Sequence, residues 1–166
     1  MTVKEKPRTA EKQLLQNALE NATVRVGLLD STANYTHDPD GDEFVGDLPT
    51  GSEPSDGSYS RQDVDDASGT FTQDDTDDEG VYDPSDVTFS SLSTSNDIEV
   101  VFVYVQDGLG SAGTDDSTAG DDPLLAVFDD DSGDGSGISD LPIATNGSDL
   151  TLQFDSEGLY KVSTPT

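Results

Sequence analysis

The stretch IEVVFVYVQ, residues 98–106, decides the fold class. Seven of its nine side chains are apolar, and they are β-branched or aromatic, types that lose rotamer freedom in a helix and pack well on a pleated sheet. A run this continuous marks a strand that is covered on both faces or central in its sheet. It is far shorter than the ~20 residues a bilayer-spanning helix needs, and no other apolar run in the chain comes closer.

Similar runs lie on either side. TVRVGLLD (23–30) and PLLAVFD (123–129) read as strands, and DLTLQFDSEGLYKVS (149–163) reads as a hairpin turning at Ser156, Glu157 and Gly158. GSYSRQDV (57–64), SGTFTQ (68–73) and DVTFSSLS (86–93) carry Tyr59, Phe71, Val87, Phe89 and Leu92 in strand-like contexts. Acidic, glycine-rich spacers at 74–80, 107–123 and 129–137 separate them, too long for ordinary connections and therefore expected at the surface. The pattern predicts an all-β, antiparallel β-sandwich, jelly-roll or immunoglobulin-like, of about seven to nine strands with a short N-terminal helix.

That helix is expected after Pro7, capped by Thr9 and running to about Asn21, with Glu11 in its first turn. Leu14, Leu15, Ala18 and Leu19 form a narrow apolar stripe on it. A helix of a dozen residues is marginal alone, so the stripe must pack on its own sandwich or on another subunit. Two regions follow: residues 1–22 as a basic arm and anchoring helix, and 23–166 as the sandwich with acidic loops.

Charge sets the solvent. The 166 residues hold 36 Asp and Glu against 7 Lys and Arg, a net charge of -29, with 31% hydrophobic residues. In dilute buffer such a surface repels itself. At ~1 M salt the Debye length falls to roughly 3 Å, and the repulsion becomes tolerable. The composition therefore points to concentrated salt, and the clustering of apolar residues into runs argues for a folded chain rather than a disordered one. The charge is also unevenly spread. Residues 1–12 carry Lys4, Lys6, Arg8 and Lys12 against Glu5 and Glu11, whereas the rest carries three basic against 34 acidic side chains. A cationic arm on a polyanion suggests a tether to an acidic neighbour, another copy included. Lys4, Lys6, Arg8, Lys12, Leu14, Leu15, Ala18 and Leu19 are thus the candidate partner-binding residues. Nucleic acid is not an expected partner for so acidic a surface.

Little in the sequence resembles a catalytic constellation. The chain has no cysteine, which removes thiolate chemistry, disulfides and cysteine metal sites. His37 is its only histidine and lacks an accompanying nucleophile elbow. Carboxylate pairs are abundant by composition alone, and Trp, a common sugar platform, is absent. No phosphate loop or dinucleotide fingerprint occurs. Asp130, Ser132 and Asp134, with Gly135 at the sixth position, resemble the start of a calcium loop, yet position twelve is Leu141 instead of the bidentate Glu. They are the candidate metal ligands, a solvated acidic loop being the alternative, as it is for Asp38, Asp40 and Asp42. No cofactor is otherwise expected. Three Asn-X-Ser/Thr triplets start at Asn21, Asn34 and Asn146, and a Ser/Thr-rich chain produces some by chance.

The order of segments VRVGLLDSTANYTHDPDGDEFVGDL, DPSDVTFSSLS, IEVVFVYVQD, PLLAVFDDDSG and DLTLQFDSEGLYKVS resembles a family of small virion proteins of tailed viruses, over roughly residues 24–163. The resemblance implies a head-associated role as a decoration or turret subunit, and the acidity suits a virus of haloarchaea. It implies the major capsid protein or other virion proteins as partners, a homo-oligomer such as a trimer or pentamer, a place on the virion head in high salt, and no membrane. The chain departs from the family at Ser58-Tyr59-Ser60, at the insertion 107–122 and at the N-terminal helix. A second reading is a tail or spike module whose loops contact a glycan or other host-surface structure.

Overall fold

The computed structural model describes residues 8–20, 22–38, 40–55, 57–64, 71–74, 79–107, 120, 122–129, 140–154 and 158–163, without the side chains of residues 8–11, 14, 73, 74, 79 and 160–163. One helix, α1 (Arg8–Leu19), precedes nine described strands: β1 (Thr23–Asp30), β2 (Gln62–Asp63), β3 (Phe71–Asp74), β4 (Glu79–Tyr82), β5 (Val87–Phe89), β6 (Ile98–Gln106), β7 (Leu124–Asp129), β8 (Leu150–Leu152) and β9 (Tyr160–Ser163). They form antiparallel sheets in the orders β2-β1-β6-β7, β3-β4-β9 and β5-β8. The chain is mostly strand with little helix, an all-β class.

β6 lies inside the largest sheet, between β1 and β7, and both of its faces are covered, so the two explanations of its apolar run hold together. Register explains how. Val24 pairs with Val105, Val26 with Val103 and Leu28 with Val101, and all six point to one face. There they meet Val87 and Phe89 of β5, Tyr82 of β4, and Leu15 and Leu19 of α1. Leu29, Val100, Phe102 and Tyr104 point to the opposite face, which Val45 and Leu48 cover from a short 3-10 turn, with Ala33 and Tyr35 beside them. Gly27, opposite Phe102, makes this face possible. A Cβ there would lie 2.1 Å from the Phe102 ring, which occupies the space a side chain would need.

The closing segment does not form the expected hairpin. β8 pairs with β5 and β9 with β4, so the two strands enter different sheets. Of the expected turn residues, Ser156 and Glu157 lie outside the described residues; Gly158 takes φ +86°, where a Cβ would meet Val81 and the Tyr82 carbonyl, and Leu159 N–H donates to that carbonyl at 2.8 Å. β4 itself lies partly in what reads as an acidic spacer. Its apolar content is Val81 and Tyr82, and it owes its strand form to β3 and β9 on its two sides.

The helix also settles a question that its sequence leaves open. Leu15 and Leu19 are 5% and 2% exposed, Ala18 packs beside them, and α1 lies against β3, β4 and β9. Of the two surfaces expected for the stripe, its own sandwich or another subunit, the chain's own core covers Leu15 and Leu19. Residue 22 does not divide the core, since Leu15, Leu19, Ala22 and Val24 belong to one cluster. The physical reason is exposure. Burying Leu15 and Leu19 gains about 1.5–3 kcal/mol for each side chain, and the nearest apolar surface is the chain's own.

Candidate functional site

The candidate residues fall into separate places. Asp130, Ser132 and Asp134 lie outside the described residues, as do Lys4 and Lys6. Arg8 and Leu14 are described only as helix backbone, and Lys12 is half-buried. Among the described residues, no three His, Asp or Glu side chains are grouped to hold a metal ion.

Asp38, Asp40 and Asp42 occupy the turn after β1, where the first and last of them fold the turn itself. Asp38 Oδ1 accepts the Asp40 N–H at 3.2 Å, and Asp42 Oδ2 accepts the Asp38 N–H at 2.8 Å and the Tyr35 hydroxyl at 2.6 Å. Carboxylates directed at the amides of their own loop are turn formers, the local use for which Asp is favoured. The His37 ring sits over this turn, its Nδ1 3.0 Å from Tyr35 Oη and 3.5 Å from Asp42 Oδ2, and its main-chain N–H reaches Asp129 Oδ2 at 3.2 Å. Tyr35 has one proton and gives it to Asp42, so His37 Nδ1 must carry the hydrogen that joins the two rings. Burial, and then Asp42, push the Tyr35 hydroxyl far above its ordinary range, so it does not serve as an acid near neutrality. The ring partners of His37 among the described residues are a phenol and a carboxylate, neither of them the hydroxyl nucleophile of a triad.

The most developed polar cluster was not visible in the sequence. Arg61, just before β2, makes a two-pronged ion pair with Glu53, its Nη2 and Nε meeting the two carboxylate oxygens at 2.8 and 3.1 Å. Nη1 donates to Tyr104 Oη at 3.2 Å, and the guanidinium carbon stands 5.5 and 5.2 Å from the Phe102 and Tyr104 ring centres. Burial works against the Arg61 charge. The Glu53 and Tyr104 bonds outweigh it and hold the guanidinium protonated, above the usual arginine value. Tyr59 donates to the same Glu53 oxygen at 2.8 Å, and its own oxygen accepts the Leu28 N–H at 3.0 Å. This hydroxyl covers the edge of β1 just where the two-residue β2 stops pairing. Arg25 completes the edge, with Nε 2.8 Å from Asp63 and Nη2 donating to the Arg61 carbonyl at 2.8 Å. A signal was available. Beyond residue 12 only Arg25, Arg61 and Lys161 are basic, and an arginine kept in so acidic a chain is expected to have a partner.

Across the molecule an open groove of about 770 Å³ runs between β7 and β8, lined by Val101, Phe128, Leu141, Ile143, Leu152 and Phe154 with Asp140 at its rim. Its apolar walls suit binding better than acid–base work. No helix among the described residues is long and apolar enough to cross a membrane. Compared with protein-family models, curated proteins and solved structures, the chain matches none.

Proposed function

We propose that this chain is a structural subunit of a halophilic tailed-virus particle, a decoration or turret subunit that binds the head shell and other copies of itself. The observation that carries the reading is the division of charge. Residues 13–166 hold 34 acidic side chains, while the four cations of residues 1–12 sit on and before a helix anchored by Leu15 and Leu19. A rigid body whose carboxylates face brine, joined to a cationic arm, is suited to holding an acidic neighbour. Many small contacts of this kind add by multivalency. In this reading the antiparallel sheets close as a sandwich, the described carboxylates shape turns, pair with arginine, accept bonds from their surroundings or face solvent, and no residue is catalytic.

The buried helix dictates the experiment. Removing residues 1–22 would take Leu15 and Leu19 out of the core, so the informative deletion is residues 1–7. Purified particles carrying it are expected to lose the protein, read on gels as its ratio to the shell protein. Particles that keep a full complement but adsorb poorly to host cells would overturn the anchor and favour the tail or spike reading. A coil-like circular dichroism spectrum of the full chain in several-molar KCl would remove the basis for either.

A further inference from the structure

We infer that Asn146-Gly147 is a self-modification site that the fold holds closed. Of the five asparagines, at 17, 21, 34, 96 and 146, only Asn146 precedes glycine. In such a pair the glycine main-chain nitrogen attacks the asparagine Cγ. The N–Cγ bond forms, the Cγ–Nδ2 bond breaks, and ammonia leaves carrying the proton of the attacking nitrogen. Water then opens the succinimide to aspartate or isoaspartate. Glycine favours the step because no Cβ hinders the nitrogen, and nothing but water is consumed.

Asn146, Gly147 and Ser148 are all exposed, so burial does not protect them. Hydrogen bonds do. The Gly147 N–H that must be lost donates to the Leu92 carbonyl at 2.9 Å, and Asn146 Oδ1 accepts the Ser148 N–H at 3.0 Å, which fixes the carbonyl under attack. The turn is tied to residues 91–94 by further bonds: Leu92 N–H to the Ser148 carbonyl at 3.1 Å, Ser91 N–H to Asp149 Oδ1 at 2.9 Å, and Thr94 N–H to Thr145 Oγ1 at 2.9 Å. Asn146 therefore reacts when this clip opens. Isoaspartate lengthens the main chain by one carbon, which takes Gly147 out of register with Leu92 beside the β5–β8 pairing of Phe89 with Leu150. A chain that has stayed open long enough to react to isoaspartate cannot close the clip again. Loss of the folded state thus becomes irreversible through a chemical step, independently of what the protein binds.

The full chain is incubated in mildly alkaline buffer in three states: folded in several-molar KCl, in dilute salt, and unfolded by urea at the same high KCl. The urea arm keeps the test independent of how the protein responds to salt. Peptides covering residues 140–154 are scored by mass spectrometry for conversion of Asn146 and for isoaspartate. Conversion is expected to be at least roughly tenfold slower in the folded protein than in urea, as for a reaction that needs local opening. Asp149→Ala, which removes one tie without touching the reacting pair, is expected to speed it in high KCl. Asn146→Ser is expected to refold after a long incubation in urea that leaves the isoaspartate-bearing fraction of the parent unable to do so. Equal rates in the folded protein and in urea, no conversion in urea, or an Asp149→Ala rate equal to the parent's would each overturn the inference.

Discussion

Replacing Arg61 by alanine tests the energetics of the fold most directly, because Glu53 would stay behind. In the folded chain the two side chains are 13% and 18% exposed and bonded through both carboxylate oxygens. Removing one member of a pair buried to this degree leaves an uncompensated charge, at a cost of about 3–5 kcal/mol. The rings of Phe102 and Tyr104 add ~0.5–1 kcal/mol of lost cation–π contact. Against a total stability of roughly 5–15 kcal/mol, that is at least about a fifth of the whole. Urea unfolding at fixed multi-molar KCl, followed by circular dichroism and tyrosine fluorescence, measures it if the slope with urea stays that of the parent. Arg25→Ala is the control. Its partner Asp63 is 70% exposed, so the loss of that pair is expected to cost under about 1 kcal/mol. Glu53→Gln combined with Arg61→Met, which removes both charges and keeps volume, is expected to cost less than Arg61→Ala alone. Equal and small losses for Arg61→Ala and Arg25→Ala would refute the assignment of a buried, energetically important pair.

Further outcomes follow from single sites. Gly27→Ala is expected to destabilise by about 1–3 kcal/mol or more in the same unfolding assay, since the new methyl meets the Phe102 ring, and part of the loss is expected to vanish when Phe102 is also made leucine. Leu15→Ala is expected to cost about 2–5 kcal/mol, whereas loss of residues 1–7 leaves unfolding nearly unchanged. For Asp30, burial raises the pKa, but Thr32 Oγ1 and N–H and Asn96 Nδ2 outweigh it and leave the carboxyl below its ordinary 3.8. A depressed folded pKa gives stability that is present above the unfolded value and is lost as pH falls through the folded one. Asp30→Asn is therefore expected to flatten the fall in stability below about pH 4 while lowering the plateau by about 1–3 kcal/mol, read by urea unfolding across pH.

How much of this fold is legible depends on how far each element stands on its own side chains. β1 coincides with its sequence run and so does β6, because β-branched and aromatic residues there state both the strand and the two covered faces. β4 has only Val81 and Tyr82 to declare it, and its partners β3 and β9 come from distant parts of the chain. The final segment alternates like a hairpin over residues 149–163. Local alternation says which residues share a face but not which strand lies alongside, and β5 and β4 take β8 and β9 apart. The helix stripe was plain in sequence, and only its partner was open. The Arg61–Glu53–Tyr59 cluster was the least legible, since its members stand among serines, glycine and proline with no periodic pattern to mark them.

That cluster also shows what an acidic surface does with its few cations. An exposed lysine or arginine in brine gains little from a nearby carboxylate, because ions of the solvent screen the pair at contact range. A cation placed under a loop is screened far less, so its bond keeps its strength. Arg25 and Arg61, two of the three basic residues beyond residue 12, are both placed at one edge of the central sheet. The edge is the weak point there. β2 pairs with β1 through only Arg25 with Asp63 and Val26 with Gln62, and past them the Leu28 N–H meets the Tyr59 hydroxyl instead of another strand. An open edge invites pairing with another chain, a hazard for a polyanion wherever salt screens its mutual repulsion. The half-buried Arg61 with its Glu53 partner and the Tyr59 hydroxyl cover it by interactions that salt weakens less than it weakens the exposed Arg25–Asp63 pair. In the proposed halophilic setting, the salt that would let this polyanion fold would also remove the repulsion that keeps its copies apart, and its edges would have to be covered by the fold itself.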